Sequence, residues 1–492
     1  MWKLPTVVSV FSSLLFVVNL QHAHAADRVE LLLRLLQKKG IITAEEAEAL
    51  NQEVTEAAET EGPAALPVQS EPEKSRTTQE KEPKKLAEAP ESEVRTELGN
   101  EGLWVRTLDG RFAVGIGGFL IADWRYFGID TPQHDFFDIR RARLSVEGWV
   151  HRDFHFEVEG EFEGSDEPKL RDGYVEWTHF PWAQFRAGQY KQPFSIEHLT
   201  PLKYNPFAER SFVRALAPGR DVGVMLNGTL RDEALVYGLS FANGSGLDPG
   251  LDSSSDKDVV GRAVFRPLSW SKPPFLQALR LGGSYSYGRI DPLDLRDFEI
   301  TTAGTTPILR LASGGKFGLI TEADERWRMG AEVSWPLGPL LLQAEYADVG
   351  FDGLRGTVGD PFNAEIQAWY ASAVVFLTGE RPHIERGVLQ GVRPKSDFSL
   401  SRGTWGAFSV GVRYDAFSAD RELFRVVDPV AFTAGAYGLA GALNWYLNPS
   451  VRLAFNFVHT EFEDPVAVGY TFIGQAFEDS EDVLISRFQL DF

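Results

Sequence analysis

Apolar and polar residues alternate along most of this chain, in segments of about ten residues separated by turns. In the clearest segment, Phe154, Phe156, Val158 and Phe162 fall on one face, and His155, Glu157, Glu159, Glu161 and Glu163 on the other. A period of two separates these sets completely, whereas helical spacing mixes them. Likewise Ala142, Leu144, Val146 and Val150 oppose Arg141, Arg143, Ser145 and Glu147, and Val451, Leu453, Phe455 and Phe457 oppose Arg452 and Asn456. About sixteen such segments begin near residues 112, 137, 154, 169, 183, 220, 234, 258, 276, 325, 340, 363, 403, 436, 451 and 481.

Short connections, such as His151-Arg152-Asp153 and Asn448-Pro449-Ser450, alternate with long ones at about 195–219, 289–324, 418–435 and 463–480. An even strand count, with short turns at one rim and long loops at the other, predicts an all-β, 16-stranded antiparallel transmembrane β-barrel over 101–492. Thr378 to Arg402 breaks the alternation, being long but on the short-turn rim. A soluble β-sandwich also alternates. Against it stand the strand lengths, the aromatic strand ends at Trp177, Trp182 and Tyr446, and a last strand with Leu484, Phe488, Leu490 and Phe492 on one face.

The first hundred residues have a different texture. Lys3, an apolar stretch from Val7 to Leu20 and the small-x-small Ala23-His24-Ala25 predict an export signal over 1–25. The apolar run is too short for a membrane anchor. Leu31, Leu32, Leu35 and Leu36, then Gly40 and a Thr43/Glu46 capping box, predict a short periplasmic helical hairpin over 26–56. Residues 57–100, rich in Glu, Lys, Pro, Ser and Thr, predict a disordered linker.

Composition narrows the function classes. The chain has no Cys, which excludes disulfides and thiolate chemistry. Its nine His show no metal-ligand spacing. A net charge of −21 argues against a nucleic-acid partner. The glutamates of 154–163 could pair for acid–base work or hold Ca²⁺. However, no nucleophile accompanies His155 or His179, so the chain reads as a channel without cofactor or metal and not as an enzyme.

Several stretches resemble the phosphate-selective porin O and P family: Phe137 to Leu144 (FDIRRARL), Leu170 to Glu176 (LRDGYVE), Gly188 to Phe194 (GQYKQPF), Phe207 to Ser211 (FAERS) and Ala217 to Gly223 (APGRDVG). The resemblance implies a water-filled, commonly trimeric barrel in the bacterial outer membrane. It also implies a third loop folded inward and passage of small anions such as phosphate past lumenal cations. Parity turns Arg141, Arg143 and Arg186 inward, and the loop adds Lys203, Arg210, Arg214 and Arg220, with Lys191 just before it. Arg grips phosphate oxygens bidentately. The same parity turns Glu157, Glu159 and Glu161 inward, and Glu209 sits in the loop. These acids keep open a general or cation-preferring porin of the same fold; a plugged barrel tethering the outer membrane is the structural alternative.

Overall fold

The computed structural model describes residues 94–99, 102–128, 131–164, 167–244, 256–295, 298–311, 319–471 and 474–492. The expected export signal, the helical hairpin and the linker as far as residue 93 lie outside the described residues. The last part of that linker is a strand rather than disordered chain: β1 (Val94–Gly99) pairs with β2 (Gly102–Thr107) in a hairpin. Gly102 has φ +88°, and a Cβ there would strike the Ile116 carbonyl, so this tight approach requires glycine.

The next strands are β3 (Phe112–Tyr126), β4 (Phe136–Val150), β5 (Phe154–Glu161), β6 (Lys169–Phe180), β7 (Ala183–Lys191), β8 (Arg220–Leu230), β9 (Leu235–Ala242), β10 (Asp258–Phe265) and β11 (Arg280–Arg289). A small outer-loop hairpin follows, β12 (Glu299–Thr301) with β13 (Pro307–Arg310), and then β14 (Glu325–Leu337), β15 (Leu340–Leu354) and β16 (Phe362–Phe376). A second small hairpin, β17 (Ile384–Glu385) with β18 (Val388–Leu389), precedes β19 (Ala407–Ala419), β20 (Gly435–Tyr446), β21 (Val451–Thr471) and β22 (Gly474–Asp491). Apart from β1, β2 and the two small hairpins, these strands pair in sequence, each antiparallel to the next, and β22 returns to pair with β3 from Leu484↔Tyr126 to Asp491↔Phe119. The ring is a closed 16-stranded antiparallel β-barrel.

Burial is inverted relative to a soluble sandwich. Val158, Leu239 and Phe457 are about half exposed on the outer wall, whereas Arg413, Asn444 and Glu161 are buried inside. Closure satisfies every strand edge, which a membrane interior demands. The short-turn rim, periplasmic in such barrels, uses left-handed residues at His151 and Arg152 and again from Arg231 to Glu233.

Several segments depart from the alternation pattern. The ninth strand starts at Arg280 and not near 276 because Pro274–Gln277 form a helical turn. The region 463–480 is not a loop: β21 and β22 continue through it as a projecting ribbon. Within the connection 290–324, the described residues Leu295, Ile300, Ile308, Leu309 and Leu311 pack against Phe212, Leu216 and Phe351 in one apolar core. Each such burial contributes roughly 1.5–3 kcal/mol. Two bulges also shift side-chain parity. Opposite Ile121 and Ala122 the register skips Arg140, and opposite Glu159 and Gly160 it skips Arg171. Each bulge inserts an arginine that has no cross-strand register partner, Arg140 beside Arg141 and Arg171 beside Asp172.

Candidate functional site

The connection 192–219 runs into the lumen, carrying helical turns α1 (Ile196–Leu199) and α2 (Val213–Leu216). Carboxylates hold it there. Glu345 accepts hydrogen bonds from the Ile196 and Glu197 amides at 2.9 and 2.8 Å, and Ser195 Oγ accepts from the His198 amide. Glu197 in turn accepts from the Ser211 amide and hydroxyl and pairs with Arg413 at 3.3 Å. Asp415 accepts from the Phe212 amide. Glu209, expected among the passage acids, is instead an anchor: Arg125 lies 2.6 Å away, Arg140 2.7 Å and Arg487 3.5 Å. Burial alone would raise its carboxyl, but Arg140, then Arg125 and Arg487, hold it well below the usual carboxylate range.

The loop's cations are treated differently. Lys191 donates to the Leu199 carbonyl at 3.0 Å, and Arg210 donates to the carbonyls of Glu197 and Thr200 at 2.9 and 2.7 Å. These contacts spend hydrogen bonds without neutralising charge. Among the described residues, Lys191, Lys203, Arg210 and Arg214 form no carboxylate ion pair, in contrast to the strand arginines. Burial, then Arg214, lowers the Arg210 guanidinium to about 9; burial, then Arg220, lowers Arg214 to about 10. Both therefore stay charged at neutral pH while feeling one another's fields. His198 lies in the same nest, buried, with neither ring nitrogen hydrogen-bonded. Burial, then Arg214 and Lys191, pushes its imidazole well down, so it stays neutral.

The strand arginines are largely balanced. Arg143 pairs with Glu159 and Glu161, both at 2.7 Å, and Arg141 reaches Glu163 at 3.4 Å. Arg220 pairs with Asp172 at 2.6 Å and Glu159 at 3.4 Å. Arg186 pairs with Glu176 at 3.1 Å and stacks 3.9 Å over the Tyr174 ring. Carboxylates of Glu157, Glu159 and Asp172 converge within 4.8 Å. Two of the three are already engaged by guanidiniums, so the trio reads as an ion-pair network and not as a cation cage.

Below the loop lies a cavity of 660 Å³. Of the residues singled out from sequence, Arg143, Arg186, Lys191, Lys203 and Arg220 line it, as do the acids Glu157 and Glu159. Arg141, Arg210, Arg214, Glu161 and Glu209 lie outside it.

Sequence reasoning missed Arg386, which also lines the cavity. The over-long connection after β16 folds inward from the short-turn rim, and Arg386 and Gly387, both at positive φ, form its tip. The Arg386 guanidinium donates to Gln184 at 2.7 Å and to Asn227, its amide donates to Glu233 at 2.8 Å, and Arg262 donates to the Gly387 carbonyl at 3.1 Å. Ile384 and Leu389 pack with Phe207 and Ala208 of the outer loop in one apolar cluster. The anomalous length of 378–402 and the turn-forming Arg386-Gly387 were the available signals.

A closed barrel with charged lumen walls and a loop pinned across it is a channel of the bacterial outer membrane. The chain belongs to the family of phosphate-selective porins O and P, whose model matches residues 114–492. Among solved structures, the barrel is similar to the outer membrane channel DcaP of Acinetobacter baumannii, at 12% identity and TM-score 0.48, covering 79% of this chain and 99% of that one. It is also similar to an anion-selective porin from Comamonas acidovorans, at 12% identity and TM-score 0.46, covering 77% and 100%. A third is OmpT of Vibrio cholerae in a trimer form, at 11% identity and TM-score 0.47, covering 77% and 99%. No curated protein sequence matches the chain.

Proposed function

We propose that this porin is a homotrimeric, anion-preferring diffusion channel with phosphate among its solutes, exported by the signal at 1–25 and extended into the periplasm by residues 26–93. The observation that carries the anion preference is the contrast in pairing. Glu197, Glu209, Glu345 and Asp415 are consumed in holding the loop, while Lys203, Arg210 and Arg214 form no carboxylate ion pair among the described residues. Selectivity is set at the constriction and not by net charge, so a chain with 70 acidic and 49 basic residues can still favour anions. The family's name and the similar anion-selective porin agree with this reading.

Reversal potentials of the purified protein in planar bilayers across a KCl gradient test it: the sign should report chloride over potassium. Glu157 favours the second reading, a general or cation-preferring pore, because it lines the cavity and, among the described residues, accepts a side-chain hydrogen bond from the Tyr174 hydroxyl alone, at 2.6 Å. The opposite sign of the same potential would establish that reading instead.

A further inference from the structure

The cavity offers both charged side chains and apolar wall. Its 660 Å³ falls within the range of about 300–1,000 Å³ typical of sites for small organic molecules. Beside its charges, Phe119, Leu199, Pro201, Tyr204, Met225 and Val388 contribute to its walls. The Arg143 guanidinium lies 5.6 Å from the Phe119 ring centroid, and Lys203 of the loop is similarly placed. Its ammonium lies 5.3 Å from the Phe119 ring centroid and 5.1 Å from that of Tyr204.

We infer that the cavity is a transient binding station for small organic anions, in which Lys203 meets the carboxylate, sulfonate or phosphate and Tyr204 with the apolar wall beside it receives an apolar or aromatic body. This rests on the anion-preferring reading and narrows it to a substrate class. A hydrated inorganic anion gains nothing from ring surface. An aryl anion removes its own apolar area and that of the wall from water together, a gain proportional to the area covered. The partly exposed Tyr204 ring also places a π-face where an aryl ring can stack or meet it edge-on, while the buried Phe119 adds only an edge of apolar wall.

The test compares two permanently charged probes with the same headgroup, benzenesulfonate and methanesulfonate, added to open single channels in KCl. Wild-type protein should be half-blocked by benzenesulfonate at a concentration about tenfold lower than by methanesulfonate. Tyr204→Ser should shrink that ratio, whereas Lys203→Gln should weaken both probes and preserve more of the ratio. Channel opening in KCl verifies that each variant is folded. An anion-selective wild type with a ratio near one would overturn the organic-anion station while leaving the anion preference standing. A ratio unchanged in Tyr204→Ser would overturn the assignment to this ring. A cation-selective wild type would overturn both readings.

Discussion

Gly118 and the terminal residue Phe492 exchange two backbone hydrogen bonds, of 2.8 and 3.0 Å, at the seam where the ring closes. The Phe492 ring lies over the glycine: a Cβ on Gly118 would sit 2.9 Å from that ring and 2.5 Å from the Arg143 carbonyl. Gly118→Val should therefore strain the seam. Overpacking of this kind costs about 1–3 kcal/mol, and the midpoint of heat modifiability on gels should fall accordingly. An unchanged midpoint would show that the seam has slack.

Removing Glu209 should loosen the inward loop. Glu209→Ala leaves Arg125 and Arg487, both buried, and Arg140 without their shared carboxylate. Arg125 and Arg487 keep Asp123, so the loss is that of a hydrogen bond to a charged group, about 1.5–3 kcal/mol. Lower heat stability and noisier open-channel current are the expected outcomes; quiet channels of wild-type stability would contradict the anchor.

The same anchor sets a pH window. Folding depresses the Glu209 carboxyl, so its contribution to stability is present above the unfolded value of about 4.3 and is lost as pH falls toward the lower folded value. Current noise attributable to the loop should stay constant from pH 7 to 5 and rise only in strong acid. A rise near pH 6 would implicate another group.

Selectivity should respond to unpaired charge more than to paired charge. Arg214→Ala removes a cation that has no carboxylate partner. The double change Arg143→Ala with Glu159→Gln removes one charge of each sign from a bonded pair. The permeability ratio of chloride to potassium should fall about two- to fivefold in the first case and change less in the second, since fixed charge acts through its net local field. Equal effects would argue that both arginines meet the solute alike.

Arg386→Ala should free the hairpin that enters from the short-turn rim. Two side-chain hydrogen bonds disappear, at about 1 kcal/mol each. Larger or more variable single-channel conductance is expected, with the barrel intact on gels.

The barrel was legible because strict alternation leaves little choice: a one-residue slip would put Glu157 and Glu159 into lipid. The second segment was placed near 137 and β4 begins at Phe136; the segment beginning at 325 coincides with β14. What alternation could not supply is whatever interrupts it. Arg140 and Arg171 escape a parity count because bulges shift the count at those residues. The role of Glu209 was hidden for a different reason. Its partner Arg487 is 278 residues away in sequence, and its chain neighbour Arg210 bonds carbonyls instead. The segment 378–402 was visible as an anomaly, but length alone does not say that a loop turns inward.

The β1–β2 hairpin occupies the stretch of β3 that β22 leaves uncovered. Leu103 to Arg106 pair with Ile116 to Ala113, directly beyond the contact of Phe492 with Gly118. β3 thus serves both as the stave against which the cask is closed and as the cleat to which the β1–β2 hairpin is tied. Tension applied at Val94 is therefore delivered through β1 and β2 to the barrel strand beside the seam.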